Sequence, residues 1–519
     1  MSDSMIRFLI KSIRICRFSD VKTSPNNYIP NLTLIRFKRY LDSKITTWII
    51  FIIGIILRLS LLPLDLLLSV DSLYYYEGAL GIADGRGYLY AGEPSASWPI
   101  GWPLLMAGII KIFGSNLFVL RFFTILISIG SLYLVFVITR NIWPNSRKLI
   151  NLSLFLAVIN VSDIIYSNIL WSESAHTFFL LLIIYFHMKL QKTSKVSFGL
   201  LTLYGLILGM ASLVRLTFLP IPLMLVAAAS IKQFQLFHLP TNYNGLKNQI
   251  IKTRLFNNLI IYIVAFVIIA PYTYRNYQLF NRFILVSDNG KVNLLIGNNR
   301  YATGSFDDEG YSRIKAEDWG KEIHHFWREQ TIDATILVFK KIAISTLSLR
   351  RSDGMIYWLS LLPQNLQDKD YQQFLQQFND PEKQTLITHY DKKNSIWERN
   401  KFYGNDKERI ALKQAMLLSK IVIHVPITPL RLLIFGSEQL WYYSVFALVI
   451  ISFFIKRELM FRSYFTSIAT LSFYYVFLWA VFFGSDRFVV PLLPLWAILA
   501  TYSLHNLFSR NKGDQKQRS

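Results

Sequence analysis

The sequence predicts an all-α polytopic membrane protein, and three observations carry that prediction. Hydrophobic residues make up 53% of the 519 positions and mean hydropathy is +0.34, a composition that uses lipid as solvent over much of the chain. About ten apolar stretches approach the ~20 residues that a crossing helix needs: 45–64, 117–138, 149–166, 175–190, 198–213, 218–231, 256–270, 440–455, 465–483 and 489–507. Lys and Arg cluster in alternate loops, as in "RNIWPNSRK", "KRELMFR" and "RNKGDQKQR". That alternation is the positive-inside bias, and it accounts for most of the net charge of +23 without nucleic acid.

Taken in order, residues 1–44 read as a basic cytoplasmic arm. Arg7, Lys11, Arg14 and Arg17 interrupt its short apolar patch and no small-residue cleavage site follows, so it suits an amphipathic arm on anionic lipid rather than a cleaved signal. Cys16 is the single cysteine; no disulfide within the chain and no Cys-based metal site is available. Residues 45–270 form a transmembrane core whose first outer loop, 65–116, opens on "SVDSLYYYEGALGIADGRGY". Asp71 is placed to cap a helix that ends at "ADG", where glycine permits the left-handed turn. Residues 271–439 form a non-cytoplasmic region of mixed charge with amphipathic helices such as "ATILVFKKIAISTLSLRR". Spans within 440–507 and a basic tail at 508–519 complete the chain, with both termini cytoplasmic.

Ionisable groups beside spans are costly and so point to function. Here they gather on the outer side: Arg58, Asp71, Asp163, Glu173, Arg215, Arg275, Asp486 and Arg487. Each has a plainer role open to it: arginines snorkel to headgroups, Asp163 suits an interhelical contact, and Asp71 suits a cap. Together, a carboxylate base beside several arginines fits a substrate that is a phosphate on one side and a nucleophile on the other. Tyr74 and Tyr75 offer aromatic faces for an acceptor groove, or sit in the interfacial belt. The neighbouring His324 and His325 read as a solvated pair, and "GNNRYATG" at 297–304 as a turn-rich loop that no helix clearly follows. Walker, GxSxG, HExxH and Cys/His zinc patterns are absent from the sequence.

The segments "DSLYYYEGALGIADGRGY", "PIGWPLLMAGIIKIFG", "SESAHTFFLLL", "LVRLTFLPIPL", "APYTYRNYQLFNRFILVSDNGKVNLLIGNNRYATG" and "DRFVVPLLPLWAILA" follow one another from residue 45 to 507. In this order the chain resembles the polytopic glycosyltransferases of the GT-C fold, of the family 39/83 kind. These take sugars from dolichyl- or undecaprenyl-phosphate and include the protein mannosyltransferases and aminoarabinose transferases. The resemblance implies a hexosyl or pentosyl transferase with Asp71 as general base. It implies Arg215, Arg275 and Arg487 on the donor phosphate, and Glu173 at the acceptor or a cation. It fixes no cofactor: members differ in metal dependence, and a divalent cation stays open. It also implies a polyprenyl-phosphate-linked sugar donor and an acceptor that is lipid, glycan or protein, as in cell-envelope glycan assembly or protein glycosylation. The setting it implies is the bacterial plasma membrane, with the site facing outward. Asp71 is followed by Ser72, where protein mannosyltransferases carry an Asp-Glu pair, so the likeness is nearer to bacterial members with one Asp and a Tyr-rich helix. The alternative is a transporter or flippase for a lipid-linked saccharide. Its ionisable groups are expected near the midplane and within inverted repeats, and this sequence has neither pattern.

Overall fold

The computed structural model describes residues 42–63, 70–90, 92–193, 196–236, 244–307, 311–348, 429–454 and 463–517. Cys16 and the basic arm to residue 41, residues 349–428 of the region expected to be non-cytoplasmic, and the "KRELMFR" loop lie outside the described residues. Most of what is described is helical, and the one sheet among the described residues is a hairpin of two-residue strands.

Helix α1 (Lys44–Leu59) starts at Ser43, whose Oγ accepts from the Thr46 N–H at 3.0 Å, a side-chain cap on an otherwise orphaned donor. Helix α2 (Val70–Ala83) is followed by strands β1 (Leu89–Tyr90) and β2 (Glu93–Pro94), paired antiparallel with Leu89 opposite Pro94. Then come α3 (Gly101–Phe113), α4 (Leu117–Ile142), α5 (Arg147–Val158), α6 (Val161–Tyr166), α7 (Glu173–Lys192), α8 (Phe198–Val214), α9 (Ile221–Leu236) and α10 (Asn244–Phe280). The region after α10 supplies α11 (Asn289–Ile296), α12 (Trp319–Glu329) and α13 (Thr331–Leu347). The C-terminal part supplies α14 (Pro429–Phe454), α15 (Ser463–Val481), a 3-10 turn at Asp486–Leu492, and α16 (Leu493–Gln517).

Among the described residues, five helical stretches are long and apolar enough to cross a membrane: Leu117–Ile142, Thr253–Phe280, Ile434–Phe454, Tyr464–Val481 and Asp486–Leu507. This is half of the expected ten, and the differences have local causes. The stretch 149–166 breaks between α5 and α6, where Asn160 takes extended backbone and its Oδ1 accepts from the Asp163 N–H. The stretches 45–64, 198–213 and 218–231 become helices of 16, 17 and 16 residues. In α7, His176, His187, Lys189 and Lys192 dilute a 20-residue helix.

The boundary expected at residue 271 falls inside α10, which runs through Pro271 to Phe280. Proline removes one ladder hydrogen bond, and a transmembrane helix tolerates this where neighbours re-satisfy the freed carbonyl. The boundary expected at 440 likewise falls inside α14.

Packing separates lipid-facing from internal helices. In Thr253–Phe280 28% of an 18-residue apolar window is buried, whereas in Asp486–Leu507 83% of such a window is. The final span is therefore the central post of the bundle. Leu495, Ala497, Ile498 and Leu499 on it have no exposed surface, and they join Trp102, Leu120, Leu180 and Leu208 in one continuous core. Arg487 begins that post.

Candidate functional site

The three consecutive tyrosines of α2 fan out at helical spacing of about 100°. Tyr74 packs its ring into an aromatic trio with Tyr90 and Trp98, centroids 4.6 and 4.4 Å away, which ties the helix to the hairpin. Tyr75 hydrogen bonds Ser172 Oγ at 3.4 Å. Tyr76 donates to the Ser115 carbonyl at 2.8 Å. The helix ends where expected: Gly85 has φ +77°, and the Arg86 N–H bonds back to the Gly81 carbonyl. Asp71 stands within the first turn of α2 rather than outside it, where the helix dipole favours a carboxylate.

Asp71 Oδ2 accepts from Arg487 Nη1 at 2.6 Å, across 416 positions of sequence. The same guanidinium lies 4.8 Å over the Trp171 ring, and its Nε is 3.9 Å from Glu173 Oε1. Glu173 Oε1 in turn accepts from Arg215 Nη2 at 2.7 Å, and Arg215 also donates to Ser172 Oγ from Nε and Nη2. Asp71, Ser172–Glu173, Arg215 and Arg487 come from four separate elements and meet in one cluster. Two carboxylates and two guanidiniums balance formally. Glu173 is 2% exposed while Asp71 and both arginines keep about a quarter of their side-chain surface; the cluster opens on the arginine and aspartate side. Among the described residues, Arg215 Nη1, Arg487 Nη2 and Asp71 Oδ1 have no hydrogen-bond partner. Burial, with Asp71 next in weight, pushes the Tyr75 hydroxyl up to about 12, so it keeps its proton at any working pH.

A second pair holds the first in place. Arg58, with no exposed surface, donates to Asp163 Oδ2 at 2.5 Å and to Ser128 Oγ at 2.7 Å, joining α1, α4 and α6. Asn168 Nδ2 donates to the Arg58 carbonyl, and Arg121 donates to the carbonyls of Asn168 and Leu61. The link that carries Trp171, Ser172 and Glu173 is thus pinned from both neighbours.

Arg275 has other partners. Its Nη1 donates to the Ser95 carbonyl at 2.6 Å and its Nη2 to the Tyr88 carbonyl at 2.9 Å, so its contacts clamp the hairpin rather than join the Asp71–Arg487 cluster. His324 and His325 are exposed on α12. In the 297–304 loop, Asn298 and Asn299 are buried, and their amides donate to helix carbonyls such as Leu294, Leu295 and Val481; the loop braces structure instead of cradling an anion. Among the described residues no three His, Cys, Asp or Glu side chains come together. Asp71 and Glu173, the acidic pair nearest one another through Arg487, are each engaged by a guanidinium. Trp171 and Ser172 are site residues that the sequence reading passed over; their signal is adjacency to Glu173 in "WSES".

No protein-family model and no curated protein matches the chain. Among solved structures it is similar to the Archaeoglobus fulgidus oligosaccharyltransferase. The apo form gives a TM-score of 0.48 at 13% identity, covering 93% of this chain and 52% of that one. The complex of that protein, AglB, with an inhibitory peptide and a dolichol-phosphate gives 0.47 at 12% identity, covering 92% and 51%. The form tethered with an acceptor peptide containing the NVT sequon gives 0.47 at 15% identity, covering 91% and 50%. This chain spans about half the length of these structures.

Proposed function

We propose that the protein is an integral-membrane glycosyltransferase that moves a sugar from a polyprenyl-phosphate donor to an acceptor hydroxyl or amine on the non-cytoplasmic face. The observation that carries this reading is the meeting of Asp71, Glu173, Arg215 and Arg487 at one opening beside the central span. A lipid-anchored phosphate arrives at the level where spans end, and guanidiniums with unused N–H groups are the fitting receptors for it.

In the proposed reaction the acceptor O–H or N–H gives its proton to Asp71 Oδ1. The acceptor atom bonds to the anomeric carbon as the bond from that carbon to the phosphate oxygen breaks. Polyprenyl phosphate leaves with the electron pair, and Arg215 and Arg487 meet the charge that develops on it. Glu173 orients both arginines from its buried position. Tyr75, neutral throughout, holds Ser172 and so the end of Arg215. Arg275 acts on the donor only through the hairpin it clamps. The span count of about ten and the GT-C architecture belong to this reading. So do the hexosyl or pentosyl class and the outward-facing site.

The test is transfer of labelled sugar in membranes from a panel of polyprenyl-phosphate sugars, comparing wild type with Asp71→Asn at equal protein level. The reading expects product from wild type and a loss of about 10²–10⁴-fold in the variant. Equal rates would remove Asp71 as base. Absence of transfer, with movement of a lipid-linked saccharide across the bilayer instead, would favour a transporter.

A further inference from the structure

Arg487 sits at the start of the central span, in a 3-10 turn, and no helix precedes it directly to fix its direction. The segment from Ala480 to Ser485 that delivers it is gripped by the region after α10. Lys341, on α13, has no exposed surface, and no described carboxylate pairs with it. Its Nζ donates to the Ala480 carbonyl at 3.0 Å and to Asn298 Oδ1 at 3.0 Å. Ala480 lies in the last turn of α15, where carbonyls lack intrahelical partners and a cation is favoured. Asn298 closes the same turn from the other side: its Nδ2 donates to the Val481 carbonyl at 2.7 Å, and its Oδ1 also accepts from Trp327 Nε1 at 3.1 Å.

The grip continues along the chain. The Gly484 N–H donates to the Gly304 carbonyl at 2.8 Å, and the Ser485 N–H to Ser345 Oγ at 3.1 Å. There is no room to slip: a Cβ on Gly484 would lie 2.4 Å from the Lys341 carbonyl, and one on Gly297 would lie 1.6 Å from the Phe482 carbonyl. Packing alone is served by Met or Leu at a buried site. A lysine there carries a desolvation cost, and its ammonium is pushed down to about 8 by burial. Its two acceptors show what offsets that cost.

We propose that Lys341 is a positioning residue for Arg487: by pinning the end of α15 to Asn298 it sets where the guanidinium stands, and so how tightly the donor phosphate is held. This rests on the glycosyltransferase reading for its effect on the reaction, but not for its effect on Arg487. A misplacement of about 1 Å at a catalytic group is enough to cost ~10²-fold.

Two measurements on full-length protein test it. The first is amide hydrogen exchange of Phe482–Arg487 in detergent, in wild type, Lys341→Met and the milder Ser345→Ala. Faster exchange in this segment, with the Trp171–Glu173 link unchanged, is expected in both variants; unchanged exchange, or a uniform rise over the molecule, overturns the proposal. The second is transfer kinetics. Lys341→Met is expected to lower kcat/KM for the donor about tenfold, the loss shared between KM and kcat because Arg487 meets both the bound phosphate and the charge that develops on it, and to add less than about twofold once Arg487 is Ala. An unchanged kcat/KM, or independent losses that multiply, overturns it. If wild type transfers from no polyprenyl-phosphate donor, the glycosyltransferase reading falls and hydrogen exchange alone decides the positioning role.

Discussion

Arg487 illustrates how much a single residue's meaning depends on where the chain brings it. Read alone it is an interfacial anchor; seated over Trp171 and on Asp71 it completes a charge cluster. The sequence made Asp71, Glu173, Arg215 and Arg487 legible as a group because charge at span ends is costly wherever it occurs. It did not separate Arg275 from them, since the carbonyls of Ser95 and Tyr88 leave no trace in a side-chain pattern. Nor did it expose Lys341, which reads as one charge on an amphipathic helix and turns out to be buried. Tyr75→Phe removes one hydrogen bond to Ser172, so it should cost about 0.5–1.5 kcal/mol in thermal or denaturant stability. Because the Tyr75 proton leaves only near pH 12, the rate-versus-pH curve between about pH 6 and 10 should keep its shape in the variant. For Lys341, the unfolded chain keeps its proton to near 10.5 and the folded chain only to about 8. The unfolded state then binds more protons between those values, so this site makes stability rise with pH across that window and leaves it flat below. Thermal midpoints near pH 7.5 and 9.5 should show that rise in wild type and lose it in Lys341→Met.

At the scale of elements, hydrophobic runs located the helices well and their interruptions poorly. Ten runs were visible, but the turn at Asn160 that divides α5 from α6 depends on one side chain capping the next helix, inside a stretch whose few polar residues, Asn151, Asn160 and Asp163 among them, do not by themselves mark a break. That break brings Asp163 to Arg58. The pair is buried on both sides, so its net worth is small but removing one partner strands a charge. Arg58→Ala or Asp163→Asn should therefore destabilise by about 3–5 kcal/mol, while the double change Arg58→Met with Asp163→Leu should recover most of the loss. Unfolding midpoints in detergent check this; a double variant as poor as either single would mean that the pair does more than neutralise itself. Pro271 is the converse case: the sequence suggests a helix boundary there, and α10 passes through it.

For the whole molecule, the account makes one end of the bundle wet and anionic-receptive and the other basic. Cysteines placed singly at Asn145 and Lys315, both exposed positions, in a Cys16→Ser background should react with an impermeant thiol reagent from opposite sides of the membrane, Lys315→Cys from the side of the site. The proposed site divides its labour: arginines hold the donor phosphate and Asp71 takes the acceptor's proton. Binding of a polyprenyl phosphate to the purified protein tests it most directly, measured for wild type, Arg487→Ala, Arg215→Ala and Asp71→Asn. Either arginine change should raise Kd about tenfold or more, a loss of at least ~1.4 kcal/mol. Binding at least as tight as wild type is expected in Asp71→Asn, where Arg487 is released from its carboxylate partner. Equal affinity in all four proteins, or loss only in Asp71→Asn, would contradict that division of labour.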